Sequence, residues 1–102
     1  MAAYKVTVVR EDNYTIVDSD SKTYNGKVEG DVFVRDDGKR AQFLGVLPEN
    51  YKRSVFRNPE TGDYVVKQGN SDTDLISVDD VIEKRNTYEL KEEDYIILSN
   101  WE

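Results

Sequence analysis

The stretch Ala41-Gln42-Phe43-Leu44-Gly45-Val46-Leu47 carries apolar side chains on both faces of a strand. Successive strand residues point to opposite sides, so Phe43, Leu44, Val46 and Leu47 cannot all be hidden by one packed layer. Ile96-Ile97-Leu98 repeats the problem near the C-terminus, with Trp101 just beyond, and Phe33 interrupts the polar face of its own strand. Any fold for this chain must cover these strands twice. The cover comes either from the same chain or from another molecule, and exposed apolar patches of this kind mark partner surfaces.

The rest of the chain also favours strands. It holds 13 Val, five Ile and six Thr against three Ala, a bias towards residues that suit a pleated surface. Ala3 to Arg10 reads as a first strand with Tyr4, Val6 and Val8 on one face, and Glu11-Asp12-Asn13 as a turn. Asn25-Gly26 is the strongest two-residue hairpin signal. A turn there sets Lys22 opposite Glu29 and Val17 opposite Val34, with Gly30 marking a bulge. Asp36-Asp37-Gly38 closes the next hairpin. Tyr51 to Arg57 and Asp63 to Gln68 read as strands around Asn58–Asp63, and Tyr88 to Leu90 and Tyr95 to Leu98 as the last two. Ser77 is placed to cap a helix through the Asp80 amide, and Val78, Val81 and Ile82 form its apolar stripe. The fold expected for residues 1–102 is one mostly-β domain. It is a small bent antiparallel barrel or sandwich of SH3-like type, with one short helix near residues 78–85.

Charge is distributed unevenly. The net charge is −7, yet residues 1–70 hold 11 acidic and 11 basic side chains, so the imbalance lies in the last third. Asp79, Asp80, Glu83, Glu89, Glu92, Glu93 and Asp94 make that third a candidate acidic surface. Arg35 to Arg57 is mildly basic, with six basic and three acidic residues.

Several chemistries lack their residues. The chain has no histidine and no cysteine, which removes the commonest general base, the commonest metal ligand and all thiolate chemistry. Asp18-Ser19-Asp20 with Glu29 imitates part of a calcium loop, but Lys22 and Thr23 stand where a ligand and a glycine are needed. In Asn70-Ser71-Asp72-Thr73-Asp74, Leu75 and Val81 fail in the same way. No glycine loop for phosphate and no paired nucleophile and base are present. The expectation is a non-enzyme without metal or cofactor. The start lacks a signal-peptide pattern and no apolar run approaches a membrane span, which points to a cytoplasmic chain.

Three functional readings follow. The first is a protein-binding domain that self-associates through apolar strands, with Phe33, Phe43, Leu44, Val46, Ile96, Leu98 and Trp101 as the interface. The second is an acidic inhibitor of phage or mobile-element type, whose carboxylates imitate a nucleic-acid backbone in a basic site. The third uses Tyr51, Arg53, Phe56 and Arg57, an interleaving of bases and aromatics that can stack on a single strand. The overall negative charge opposes the third.

Overall fold

Alternation of apolar and polar residues, broken by short turns, produces nine strands among the described residues: β1 (Ala2–Arg10), β2 (Asn13–Val17), β3 (Thr23–Glu29), β4 (Val32–Arg35), β5 (Arg40–Leu47), β6 (Val55–Arg57), β7 (Tyr64–Lys67), β8 (Leu75–Ser77) and β9 (Tyr95–Ser99). The structure is a computed structural model that describes residues 2–48, 55–57, 60–61, 64–67, 75–84 and 89–102. Within these ranges the side chains of Phe56, Arg57 and Leu75 lie outside the description. Six strands close into an antiparallel barrel in the order β1-β2-β3-β4-β5-β9, and β6-β7-β8 form a separate three-stranded sheet. The expected mostly-β barrel is therefore present.

The turns follow local chemistry. Glu11-Asp12 joins Arg10 to its partner Asn13, and Glu11 has positive φ. Gly30-Asp31 joins Glu29 to Val32, with Gly30 at φ 61°; glycine first in a two-residue loop is what a type II′ hairpin requires. Gly38 at φ 89° completes the expected turn after Asp36-Asp37. Asn25-Gly26, by contrast, lies inside β3, where Tyr14 pairs with Gly26 and Thr15 with Asn25. The hairpin between β2 and β3 turns at Asp18–Lys22 instead. Asp18 Oδ1 accepts the Asp20 and Lys22 amides, each at 2.9 Å. Val17 consequently faces Thr23, not Val34, and Gly30 is a turn residue rather than a bulge.

Among the described residues two bulges occur, at Thr7 and Leu44, where the ladder steps from Val6 to Val8 and from Phe43 to Gly45. Each adds one residue and resets the alternation. Tyr4 and Val6 face the barrel interior, whereas Val8 is exposed. Phe43 and Val46 are buried in the interior with Tyr14, Ile16, Phe33, Ala41, Leu90, Ile96 and Leu98.

A second core lies outside the barrel wall. Ala3, Leu47 and Ile97 are buried there with Val66 from β7 and Val78, and Leu44, Val81 and Ile82 pack against them. The same chain thus covers the second face of β5 and β9. The expected helix near 78–85 is shorter: Val78–Asp80 forms one 3-10 turn. Ser77 Oγ accepts the Asp79 amide at 3.2 Å rather than that of Asp80. Glu83 then pairs its backbone with Val46 in both directions, at 2.7 and 2.8 Å, which takes it out of any helix. Three β-branched residues in so short a run give a helix little support.

Candidate functional site

The seven residues expected at an apolar interface are not on a common exposed surface. Phe33, Phe43, Val46, Ile96 and Leu98 are buried inside the barrel, Leu44 is half-buried against the second core, and Trp101 is half-buried against the first. The expectation of an exposed apolar interface at these positions is corrected on that ground. The chain folds its β6-β7-β8 sheet and 3-10 turn over the strand faces that needed cover.

Trp101 has a defined structural part. Its Nε1 donates to Tyr4 Oη at 2.8 Å, its ring stacks on Tyr24 with centroids 5.6 Å apart, and it meets Phe33 edge-on at 6.1 Å. The Arg35 guanidinium lies 5.1 Å from the Tyr24 centroid and 5.5 Å from that of Trp101, within cation–π range. Arg35 is held in turn by Asp37 at 2.6 Å. The C-terminal residues therefore plug one part of the barrel, and Glu102 fastens them outside by accepting from Arg40 Nη2 at 2.6 Å.

Burial pushes the Tyr4 phenol above its usual value, against a smaller opposing effect of the Trp101 hydrogen bond. Burial raises Tyr14 as well. A raised folded pKa favours the neutral phenol, so the folded state keeps its full stability below about pH 10, the unfolded phenol's value, and loses it as pH climbs through the folded value. Alkaline titration followed by Trp101 fluorescence is expected to show this loss. Tyr4→Phe should shrink it while lowering stability near neutral pH by about 1 kcal/mol, because the indole N–H loses its acceptor. An unchanged alkaline profile in Tyr4→Phe would assign the transition elsewhere.

The acidic residues are mostly where a charged surface needs them. Asp79, Asp80, Glu83, Glu89, Glu92 and Glu93 are exposed. Asp94 is not: it is only 2 % exposed, and its Oδ2 accepts the Lys91 amide at 3.0 Å. Its inclusion in the acidic surface is corrected, since it serves to close the turn before β9. Glu93 is paired with Lys5 at 2.8 Å, and that hydrogen bond raises the lysine pKa. Asp79, Asp80, Glu83 and Glu92 have no ion pair among the described residues. The Glu83 peptide is fixed to β5, so its carboxylate is presented from a rigid element.

Of the nucleic-acid candidates, Tyr51 and Arg53 lie outside the described residues. Phe56 and Arg57 belong to β6, with their side chains outside the description. Among the described residues no group of three or more metal-ligating side chains gathers, and no helix is long and apolar enough to cross a membrane.

Among the hollows lined by described residues, three bear on a site. One of about 140 Å³ lies between barrel and small sheet, against Lys5, Val17, Asp18, Val55, Tyr64 and Tyr95. Another of about 180 Å³ adjoins Arg40, Gln42, Asn100 and Glu102. The third is a groove of about 420 Å³ over β1, β2 and β3, bordered by Val8, Arg10, Asn13, Thr15, Asn25 and Asp36. A turn at Asn25-Gly26 would take Asn25 off any sheet face, and nothing in the sequence announces the bulge at Thr7. Compared with known proteins, the chain matches no family model, no curated protein and no solved structure.

Proposed function

We propose that this chain is a small, non-catalytic protein-binding domain that engages a basic partner surface through exposed carboxylates of its last third. The supporting observation is a contrast. The apolar strand faces are covered by the chain itself, while Asp79, Asp80, Glu83 and Glu92 stand exposed with no ion pair among the described residues. Spaced exposed carboxylates attract a basic surface and fix its orientation more than they add raw affinity. Occupation of a nucleic-acid-binding site by such a surface is the form of inhibition that fits this chemistry.

A lysine- and arginine-rich peptide of about a dozen residues serves as the probe, titrated at low and high salt. Charge reversal of Asp79, Asp80, Glu83 and Glu92 together is expected to weaken binding at least about tenfold, and salt should weaken the unmodified protein steeply. The control reverses Glu11, Asp20, Glu29 and Glu60, which gives the same net charge. Equal losses in the two variants would mean that only net charge acts, and the surface assignment would fall.

A further inference from the structure

We infer that the groove over β1, β2 and β3 is a second docking site, for an extended peptide segment that carries a carboxylate at one end and a cation at the other. The inference rests on the reading of the chain as a protein-binding domain but uses a different surface from the acidic one.

The groove exists because of the Thr7 bulge. Plain alternation after Tyr4 and Val6 would send Val8 into the barrel; the added residue turns it outward, where it is 36 % exposed. Val8 is the one large apolar side chain so exposed among the described residues. From it a row runs across the sheet. Val8 pairs with Thr15, Thr15 pairs with Asn25, and Asn25 accepts the Asp36 amide through its carbonyl at 3.0 Å. The neighbouring row is Arg10, Asn13 and Lys27.

The side chains of these rows define what can lie on them. Thr15 Oγ1 donates to Asn25 Oδ1 at 2.7 Å, which leaves the Asn25 amide nitrogen to donate to a ligand. Arg10 and Asp36 have no ion pair among the described residues, whereas Lys27 has Asp12 at 3.8 Å. The groove therefore presents one uncompensated cation on β1, one uncompensated anion beyond β3, an apolar spot next to the cation and amide and hydroxyl groups between. Tyr14 is buried beneath, so no open ring in the groove can stack on a sugar or a base.

Neighbouring strands lie about 4.8 Å apart and residues rise about 3.3 Å, so Arg10 and Asp36 are roughly 15 Å apart at the backbone. An extended chain covers that span in about five residues. The complementary segment has an acidic side chain over Arg10, an apolar one two residues on that reaches Val8, and a basic one two residues further over Asp36.

The test is an amide-shift titration of the full chain with the blocked peptide acetyl-Glu-Ser-Val-Gly-Lys-amide, in which Glu, Val and Lys share one face. Saturable shifts confined to residues 8–15, 25–27 and 36 are expected. Arg10→Glu should weaken this peptide about fivefold and instead favour the peptide with Lys at both ends; Asp36→Lys should favour the one with Glu at both ends. Neither variant alters a buried residue, so both remain folded. Shifts elsewhere, no saturation, or unchanged preference in Arg10→Glu would overturn the site. If the lysine- and arginine-rich peptide still binds the acidic surface while this peptide does not, the groove alone is struck out. If neither binds, the protein-binding reading fails with it.

Discussion

Replacing Gly26 by alanine is expected to lower the unfolding free energy by about 3 kcal/mol, near the upper end for overpacking, and the melting temperature of a domain this size by roughly 15 °C. A Cβ at this position would lie 2.3 Å from the Val34 carbonyl oxygen and 2.8 Å from Cζ of Phe33. Neither neighbour can yield easily. The carbonyl belongs to the strand paired with β3, where Gly26 faces Arg35 and Lys27 faces Val34. Phe33 is fully buried at the centre of the barrel. Gly30→Ala is the comparison. Nothing lies within 4 Å of its added methyl, and the cost is only that of alanine at φ +61°, about 1 kcal/mol. Urea and thermal unfolding should therefore rank Gly26→Ala well below Gly30→Ala. The reverse order would mean that Gly26 is a turn residue chosen for its φ, as its place after Asn25 suggests, and the register of β2, β3 and β4 would need rebuilding.

That contrast shows where local sequence signals succeed and where they fail. Asp36-Asp37-Gly38 and Glu11-Asp12 were legible because their φ values are set by the turn itself. Asn25-Gly26 has the same local signature, but here glycine answers a contact with Val34 and Phe33 that is seven or eight residues distant in sequence and invisible to a turn rule. The actual turn at Asp18–Lys22 relies on one aspartate capping two amides, a device shared by many loops. Bulges are harder still. Thr7 and Leu44 look like ordinary strand residues, yet they decide that Val8 faces solvent and that Gly45 opposes Ile97. The groove depends on the first of these, so its residues could not be assembled from the sequence.

The double-sided strands were legible as a need for cover, and the source of that cover was not. Val66, Val78, Val81 and Ile82 belong to short, separate elements, each too small to signal a second layer. Only their assembly against Ala3, Leu47 and Ile97 makes one. Gly45 is part of the fit, since its missing side chain makes room for Ile82. The exposure of the acidic residues was easier to read, because charged residues near turns are exposed by default. Asp94 broke the pattern by folding its carboxylate back onto the Lys91 amide.

Truncating Ile97 to alanine tests whether one protomer supplies its own cover. Ile97 has no exposed surface and packs on the outer side of β9 with Leu47, Val66 and Val78. Loss of a buried isoleucine side chain costs about 2–5 kcal/mol, according to how far the surroundings collapse. The interior neighbour Ile96, equally buried, should show a loss in the same range. Because the covering sheet belongs to the same chain, both losses are expected to be independent of protein concentration, and sedimentation should report a monomer for the parent and for both variants. A second copy lying over β9 would give a different result. Stability would then rise with protomer concentration by mass action, and Ile97→Ala would act chiefly by dissociating a dimer, leaving Ile96→Ala as the only change felt by the isolated barrel. Concentration-dependent unfolding of the parent chain would return the apolar strands to the partner surface. Concentration-independent unfolding would instead direct the search for a partner to the proposed surfaces, the exposed carboxylates at Asp79, Asp80, Glu83 and Glu92 and the groove between Arg10 and Asp36.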